Sequence, residues 1–458
     1  MRKSVIVVAV LALIIVSFAQ GSNMKVSAAS KGDVKIDISN FPDGKFRADV
    51  SKYDLNYDGY LSQAEIKLVT EIECNDAEQD DNYRSLKGIE HFTSLKKLWC
   101  SYTGVETLDL RKLVRLESVR IQYNYSLTSI QFGKNKKLKE IICKSNSLTA
   151  LSFKNLQSLE ILDCGYNKLK SLNIENCKKL SQIECGGNEI SSLSIKNNNN
   201  LTYLGCGDNK LKTLNLDNNP SLEVVDCHGN NLSTLHVEKA KKLKVLNCMD
   251  NKIKTIKTNK TARVFCDKSV KVSPSRLVSI KKAKTGDEVR FGNYNGNTDW
   301  IVLEKKDGKL LLLCKNTINR MSIQIDTDYW GESDLRKWLN NDYYEKSFSG
   351  SEKKKILTTV LESKDTSYGP YGSKDGKKYK SEDKVFLLSQ EEVLKYFGKE
   401  TGRIAVSNHD DSYVFTSWYL RSPFACSVNE HGEIKETFWA LGDAFIHDDL
   451  RPAIWVKP

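Results

Sequence analysis

Three observations in this sequence predict an α/β solenoid with a helical cap ahead of it and a separate α+β domain behind it. A pattern L-x-x-L-x-C-x-x-N-x-L-x-x-L-x-[IVL] returns every 21 residues through the middle of the 458-residue chain. A twelve-residue loop of oxygen-bearing side chains precedes it. After Cys266 the rhythm breaks, and most of the tryptophans lie beyond that point.

Residues 1–29 read as a secretory signal peptide. Arg2 and Lys3 precede an apolar run from Val5 to Ala19, and Val26-Ser27-Ala28-Ala29 suits cleavage. The run is short of the ~20 apolar residues that span a bilayer. An uncleaved anchor is the alternative. No second run of spanning length follows, and the end at Trp455-Val456-Lys457-Pro458 has no hydrophobic tail. The expectation is a secreted, extracellular protein with no transmembrane segment after cleavage, either released or held non-covalently at a surface.

Residues 30–68 form the expected cap. Asp54-Leu55-Asn56-Tyr57-Asp58-Gly59-Tyr60-Leu61-Ser62-Gln63-Ala64-Glu65 matches the twelve-residue EF-hand loop. Asp54, Asn56 and Asp58 bring short oxygen side chains toward one cation, Gly59 permits the sharp turn, the Tyr60 carbonyl ligates, and Glu65 closes the site. Calcium is therefore the expected cofactor. The bland alternative keeps the motif only as a packing cap. Either way a first repeat needs its exposed ladder covered.

Residues 69–275 carry the repeats. The clearest copy runs through Leu159, Leu162, Cys164, Asn167, Leu169, Leu172 and Ile174, and cysteine recurs at 143, 164, 185, 206, 227 and 248. Cys100 holds the same slot upstream, with Ile121 between. A period near 21 with an apolar ladder and an Asn is the signature of leucine-rich repeats, whose inner face ordinarily holds another molecule. Cysteines at one register position stack inward and behave as small buried hydrophobes, although neighbouring strands lie close enough for pairing. Cys177, Cys314 and Cys426 fall off the ladder.

The net charge of +12 is carried largely by lysines on the return path, such as Lys134, Lys136, Lys178 and Lys241. Two readings stand: a solvated convex surface, or adhesion to an anionic cell wall. The inner-face positions are mixed, running from Lys97 and Trp99 to Val224, Asp226, Val245 and Asn247. Nucleic acid would want a basic stripe there and is excluded as a partner. Trp99, Tyr102, Arg120, Tyr123, Tyr166 and Tyr203 are the candidate ligand-binding residues, because aromatic rings and Arg make binding hot spots and rings also stack on sugars. The competing reading has the rim tyrosines cover backbone.

On the loop at 54–65, the Leu86, Ile89, Phe92, Leu95 lead-in and the repeat pattern, residues 36–270 resemble the internalin-type leucine-rich repeat proteins of Gram-positive bacteria. The resemblance implies a surface or secreted binding protein, often for host proteins, and leaves the ligand open. The ladder cysteines and the complete acidic loop depart from that family.

Residues 276–458 change composition after a linker containing Pro274. Val289–Gly292, Trp300–Leu303 and Leu310–Cys314 read as strands with a hairpin turn at Asp307-Gly308, and Asp334–Asn340 and Glu391–Phe397 as helices. Trp300-Ile301-Val302-Leu303, Trp418-Tyr419-Leu420-Arg421-Ser422-Pro423 and Arg451-Pro452-Ala453 resemble an uncharacterised domain common at the end of secreted Gram-positive proteins. They are more remotely similar to C-type-lectin-like domains. His447, Asp448, Asp449 and Arg451, with Arg421, are the one cluster from which an acid–base site can be built. The arginines more often brace loops through carboxylates such as Asp443 or Asp448. The reading is a non-enzymatic recognition or adhesion protein for a host or bacterial surface protein or a glycan. A repeat-targeted enzyme and a cell-wall structural protein are the alternatives.

Overall fold

The computed structural model describes residues 30, 32–75, 82–259, 262–273, 277–294, 297–320, 330–364, 378–398, 403–406, 415–416, 418–421, 426–429, 432, 434–436 and 449–458. The expected signal segment lies outside them, as do Asp443, His447 and Asp448. Among the described residues no helix is long and apolar enough to cross a membrane. The chain falls into two compact units that part at Leu156 and Gln157.

The first unit opens with strand β1 (Val34–Lys35), paired antiparallel to β2 (Tyr60–Leu61). Between them helix α1 (Gly44–Val50) starts where the Asp43 carboxylate accepts the Phe46 N–H at 2.8 Å. Helix α2 (Gln63–Leu68) starts at Ser62, which forms a reciprocal capping box with Glu65. Phe41 and Tyr53, which flank α1, pack on Phe92 of the first coil, with ring centroids 6.4 and 5.7 Å apart. Four parallel strands follow: β3 (Glu71–Asn75), β4 (Lys97–Ser101), β5 (Ser118–Gln122) and β6 (Glu140–Ile142). Side chains alternate between faces, so Leu98 and Cys100, then Val119 and Ile121, enter the core.

The second unit begins with six parallel strands of the same kind: β7 (Ile161–Asp163), β8 (Gln182–Glu184), β9 (Tyr203–Gly205), β10 (Val224–Asp226), β11 (Val245–Asn247) and β12 (Arg263–Phe265). Ile161 stands opposite Gln182, Gln182 opposite Tyr203, and so on at 21-residue steps until Val245 meets Arg263 after 18. The 18-residue step from Cys248 to Cys266 thus shortens the last coil without ending the sheet.

The ladder cysteines from Cys143 to Cys248 are buried and free. The ladder Asn side chains satisfy backbone groups of neighbouring coils. Asn188 Nδ2 donates to the carbonyls of Cys164 at 3.1 Å and Cys185 at 3.0 Å, and its Oδ1 accepts the Leu169 N–H at 3.0 Å. A second ladder runs along the convex turns. Asn198 donates to Ile174 and Cys177, and Asn219 to Ile195 and Asn198. Cys177 occupies this same slot, which places it inside the repeat after all.

Beyond residue 276 the second unit is α+β. Strands β13 (Glu288–Tyr294), β14 (Asn297–Lys306), β15 (Lys309–Cys314), β16 (Ile356–Leu357) and β17 (Ala453–Val456) form one sheet in the order β13-β14-β15-β17-β16. The expected hairpin is present, with Asp307 and Gly308 both at positive φ. Helix α3 (Asp334–Trp338) runs on through a wider turn at Leu339–Tyr343 to Ser347, longer than the sequence suggests, and α4 spans Gln390–Tyr396.

Candidate functional site

In the calcium-type loop, Tyr57 and Gly59 adopt φ of 60° and 80°, which curls the backbone around the acidic side chains. Asp54 accepts the Gly59 N–H at 2.9 Å, Asn56 the Asp58 N–H at 3.2 Å, and Asp58 the Tyr60 N–H at 2.8 Å. Glu65 accepts Leu55 N–H through one oxygen, and Ser62 N–H and Oγ–H through the other, each at 2.8 Å. The donor set is all oxygen, which fits calcium in kind. Among the described residues, no three His, Cys, Asp or Glu side chains converge tightly enough to hold a metal. β1 pairs beside the loop at Leu61, so that strand supplies the pairing a second hand would give.

On the inner face of the first unit, Trp99 has two cations near its ring, with Lys97 Nζ and Arg120 Cζ each 5.8 Å from the centroid. Arg120 is oriented by Glu140 through bonds of 2.8 and 3.1 Å, and Lys97 pairs with Glu71 at 2.7 Å. Burial alone would raise the Glu140 pKa, but the bonds from Arg120 and Ser118 outweigh it and hold it below the ordinary value. Tyr102 and Tyr123 stack at 4.9 Å with planes 8° apart.

The tyrosines share a backbone feature that residue type alone does not reveal. Tyr102, Tyr123 and Tyr166 have φ of 59°, 60° and 53°, and the same slot in later coils holds Gly187, Asp208, Gly229 and Asp250. A left-handed backbone costs a bulky L-residue roughly 1–2 kcal/mol, and Gly almost nothing. Tyrosine here sits against local preference, and Ser145 takes the slot between Tyr123 and Tyr166. Tyr123→Gly is therefore expected to leave thermal stability within about 1 kcal/mol of wild type, because relieved strain offsets the lost ring stack. Tyr123→Val should cost more, since a β-branched residue fits φ near 60° worst. Calorimetric melting of both variants checks this.

In the second unit, Tyr166 is 61% exposed, and its ring lies against Gly187, where a Cβ would clash with it. Tyr203 differs. Its hydroxyl donates to Glu184 at 2.9 Å and its ring packs beside Val224, Val245, Met249, Phe265 and Ile404. It is therefore not a free contact. Glu184 folds over Gly205, whose missing side chain makes the room. Burial, reinforced by Asp163 and Asp226, pushes its pKa up to about 7, against opposing bonds from Gly186 N–H and Tyr203. His228 bridges Asp226 at 2.6 Å and Asp208 at 3.2 Å. Burial disfavours its cation, but Asp226 and Asp208 outweigh burial and raise the pKa to about 10.

The sequence reading of the later inner face needs correction. Val224, Asp226, Val245 and Asn247 were expected to face solvent, and all four are buried. Strand alternation tells which face a residue lies on but not whether something covers that face.

The acid–base cluster does not assemble among the described residues. Asp449 is buried and accepts the Thr317 hydroxyl at 2.7 Å. Arg421 pairs with Glu392 at 2.8 Å. Arg451, fully buried, donates to the backbone carbonyls of Cys314, Arg403 and Lys315 and lies 5.1 Å from the Trp418 ring. The arginines brace loops as expected, but Arg451 does so through carbonyls.

Comparison with known proteins agrees with the repeat architecture. Residues 102–282 match the model of the leucine-rich repeats of an FBD-associated F-box protein. Residues 307–458 match a domain of unknown function, DUF6273. No curated protein matches. Similar solved structures include the functional domain of InlJ from Listeria monocytogenes, described as including a cysteine ladder. It is 22% identical with a TM-score of 0.34, over 57% of this chain and 65% of that one. An internalin C2 from the same organism is 18% identical with a TM-score of 0.37, over 54% of this chain and 100% of that one. A leucine-rich repeat protein of Leptospira interrogans is 19% identical with a TM-score of 0.31, over 46% and 58%.

Proposed function

We propose that this chain is a secreted, non-enzymatic recognition protein that binds a surface protein, of a host or of bacteria, through the inner face and rim of its N-terminal coils. The observation that carries the reading is that Tyr102 and Tyr123 are held at positive φ on the same coils that carry Trp99 and Arg120. Strain kept at a surface against the preference for glycine points to a use for the side chain. Trp, Tyr and Arg are the residues on which protein interfaces concentrate their energy.

The same geometry favours a protein over a glycan. Sugar rings stack on open aromatic faces, and here the Tyr102–Tyr123 stack and the cations near Trp99 and Tyr123 take up most of them. What remains for a partner is the outer face of Tyr102, ring edges, hydroxyls and the Arg120 guanidinium. The test is binding of the labelled full-length chain to intact cells pretreated with protease or with glycosidases. The reading expects saturable binding that protease abolishes and glycosidases spare; loss with glycosidases alone would make the ligand a glycan.

We further propose that Asp54, Asn56, Asp58, the Tyr60 carbonyl and Glu65 hold calcium, supported by the oxygen donor set and by the curl at Tyr57 and Gly59. Bound calcium would tie α1 to α2 and so fix the first coil. Calcium should raise the melting temperature of the full-length chain by several degrees over chelator, and Asp54→Ala with Asp58→Ala should abolish the difference. Superimposable melts in both conditions would reject calcium.

A further inference from the structure

Within the second unit the repeat strands differ in how far their inner face is open. On β7 and β8 the inner-face side chains Ile161, Asp163 and Glu184 are partly exposed and Gln182 is open to solvent. On β10, β11 and β12 every equivalent side chain is buried: Val224, Asp226, Val245, Asn247, Arg263 and Phe265. The strands are of one kind, so the difference comes from what lies on top of them. Ile404, 1% exposed, packs with Val224, Val245, Met249 and Phe265.

A polar contact fastens the same junction. Lys315, which follows β15, donates to the Val264 carbonyl of β12 at 2.8 Å and pairs with Glu288 of β13 at 2.8 Å. Its ammonium also lies 5.4 Å from the Phe265 ring. A terminal strand leaves backbone groups without strand partners, a template for unwanted pairing. Lys315 occupies one such carbonyl on β12.

We infer that the α+β region is a permanent, built-in occupant of the inner face of the last three coils, sealing that end of the repeats and denying it to outside partners. The chemistry argues against a lid that opens. Lifting the region would expose Val224, Val245, Met249, Phe265 and Ile404 as one apolar patch, which soluble proteins rarely leave bare. It would also separate Lys315 from either Val264 or Glu288. A partner that reads apolar surface therefore finds none on β10–β12. The inference stands independently of the proposed partner for the N-terminal coils.

The test uses the full-length chain. In wild type, hydroxyl-radical footprinting should modify Tyr102 and Tyr125 readily and spare Met249 and Phe265. Modification of Met249 at the rate of an exposed methionine would overturn the inference. Ile404→Asp should then raise amide hydrogen exchange at least tenfold in β10, β11 and β12 together, leaving β4 and β5 unchanged. Should that variant not fold, Lys315→Met is the milder probe and should accelerate exchange in β12 first. Faster exchange confined to residues beyond 276, in whichever variant folds, would show that the region does not hold the coils.

Discussion

Asn188→Ala is expected to lower the unfolding free energy of the second unit by about 3 kcal/mol, read as a shift in the urea midpoint. The side chain is 8% exposed and serves consecutive coils at once, giving its amide hydrogens to Cys164, Cys185 and Gly186 carbonyls and accepting Leu169 N–H. Alanine leaves the Leu169 N–H buried without that acceptor, and an unmet buried donor costs about 1–3 kcal/mol by itself. Asn188→Asp should be no better, because a carboxylate cannot donate and would face those carbonyl oxygens. Asn251→Ala should cost visibly less, since Asn251 is only partly buried. Equal costs at 188 and 251 would mean that burial does not set the energy of this ladder.

Raising the pH from 5 to 9 is expected to destabilise the second unit progressively. Glu184 has its folded pKa raised from 4.5 to about 7. Its contribution is thus complete below pH 4.5 and is lost as pH rises through 7, where the carboxylate must ionise beside Asp163 and Asp226. His228 has its folded pKa raised from 6.5 to about 10. Its contribution is complete below pH 6.5 and fades as pH rises through 10, when the cation between Asp226 and Asp208 is lost. The Glu184 step amounts to roughly 2 kcal/mol after allowance for its partial exposure. Glu184→Gln should flatten the profile between pH 5 and 7 and leave the alkaline limb, while His228→Asn should do the reverse. An unchanged acid limb in Glu184→Gln would place the titrating group elsewhere.

Much of this architecture was legible because a solenoid is nearly one-dimensional: one period fixes the pairing of every strand. The 21-residue spacing reappears as Ile161 opposite Gln182 opposite Tyr203, and the Asn ladder follows from the same spacing. The Asp307-Gly308 hairpin is equally local. What stayed hidden depends on contacts between distant segments. Ile404 lies far in sequence from Val224, and no periodicity announces that one covers the other. Nothing local in the sequence announces the burial of Glu184, which comes from its folding into the room that Gly205 leaves one coil away. The second Asn ladder was readable in principle from Asn198 and Asn219 at the same interval as the cysteines. Cys177 in that slot disguised it.

Recognition by the N-terminal coils, at Trp99, Arg120, Tyr102 and Tyr123, can be read in one experiment. The most direct measurement is a saturation-binding titration of full-length Arg120→Glu and Trp99→Ala on the cells that bind wild type, beside a control such as Val360→Ser on an exposed strand position far along the chain. At least tenfold weaker binding is expected for each of the first two, with wild-type melting curves, and no change for the control. Undiminished binding by both Arg120→Glu and Trp99→Ala would contradict it and move the recognition surface elsewhere.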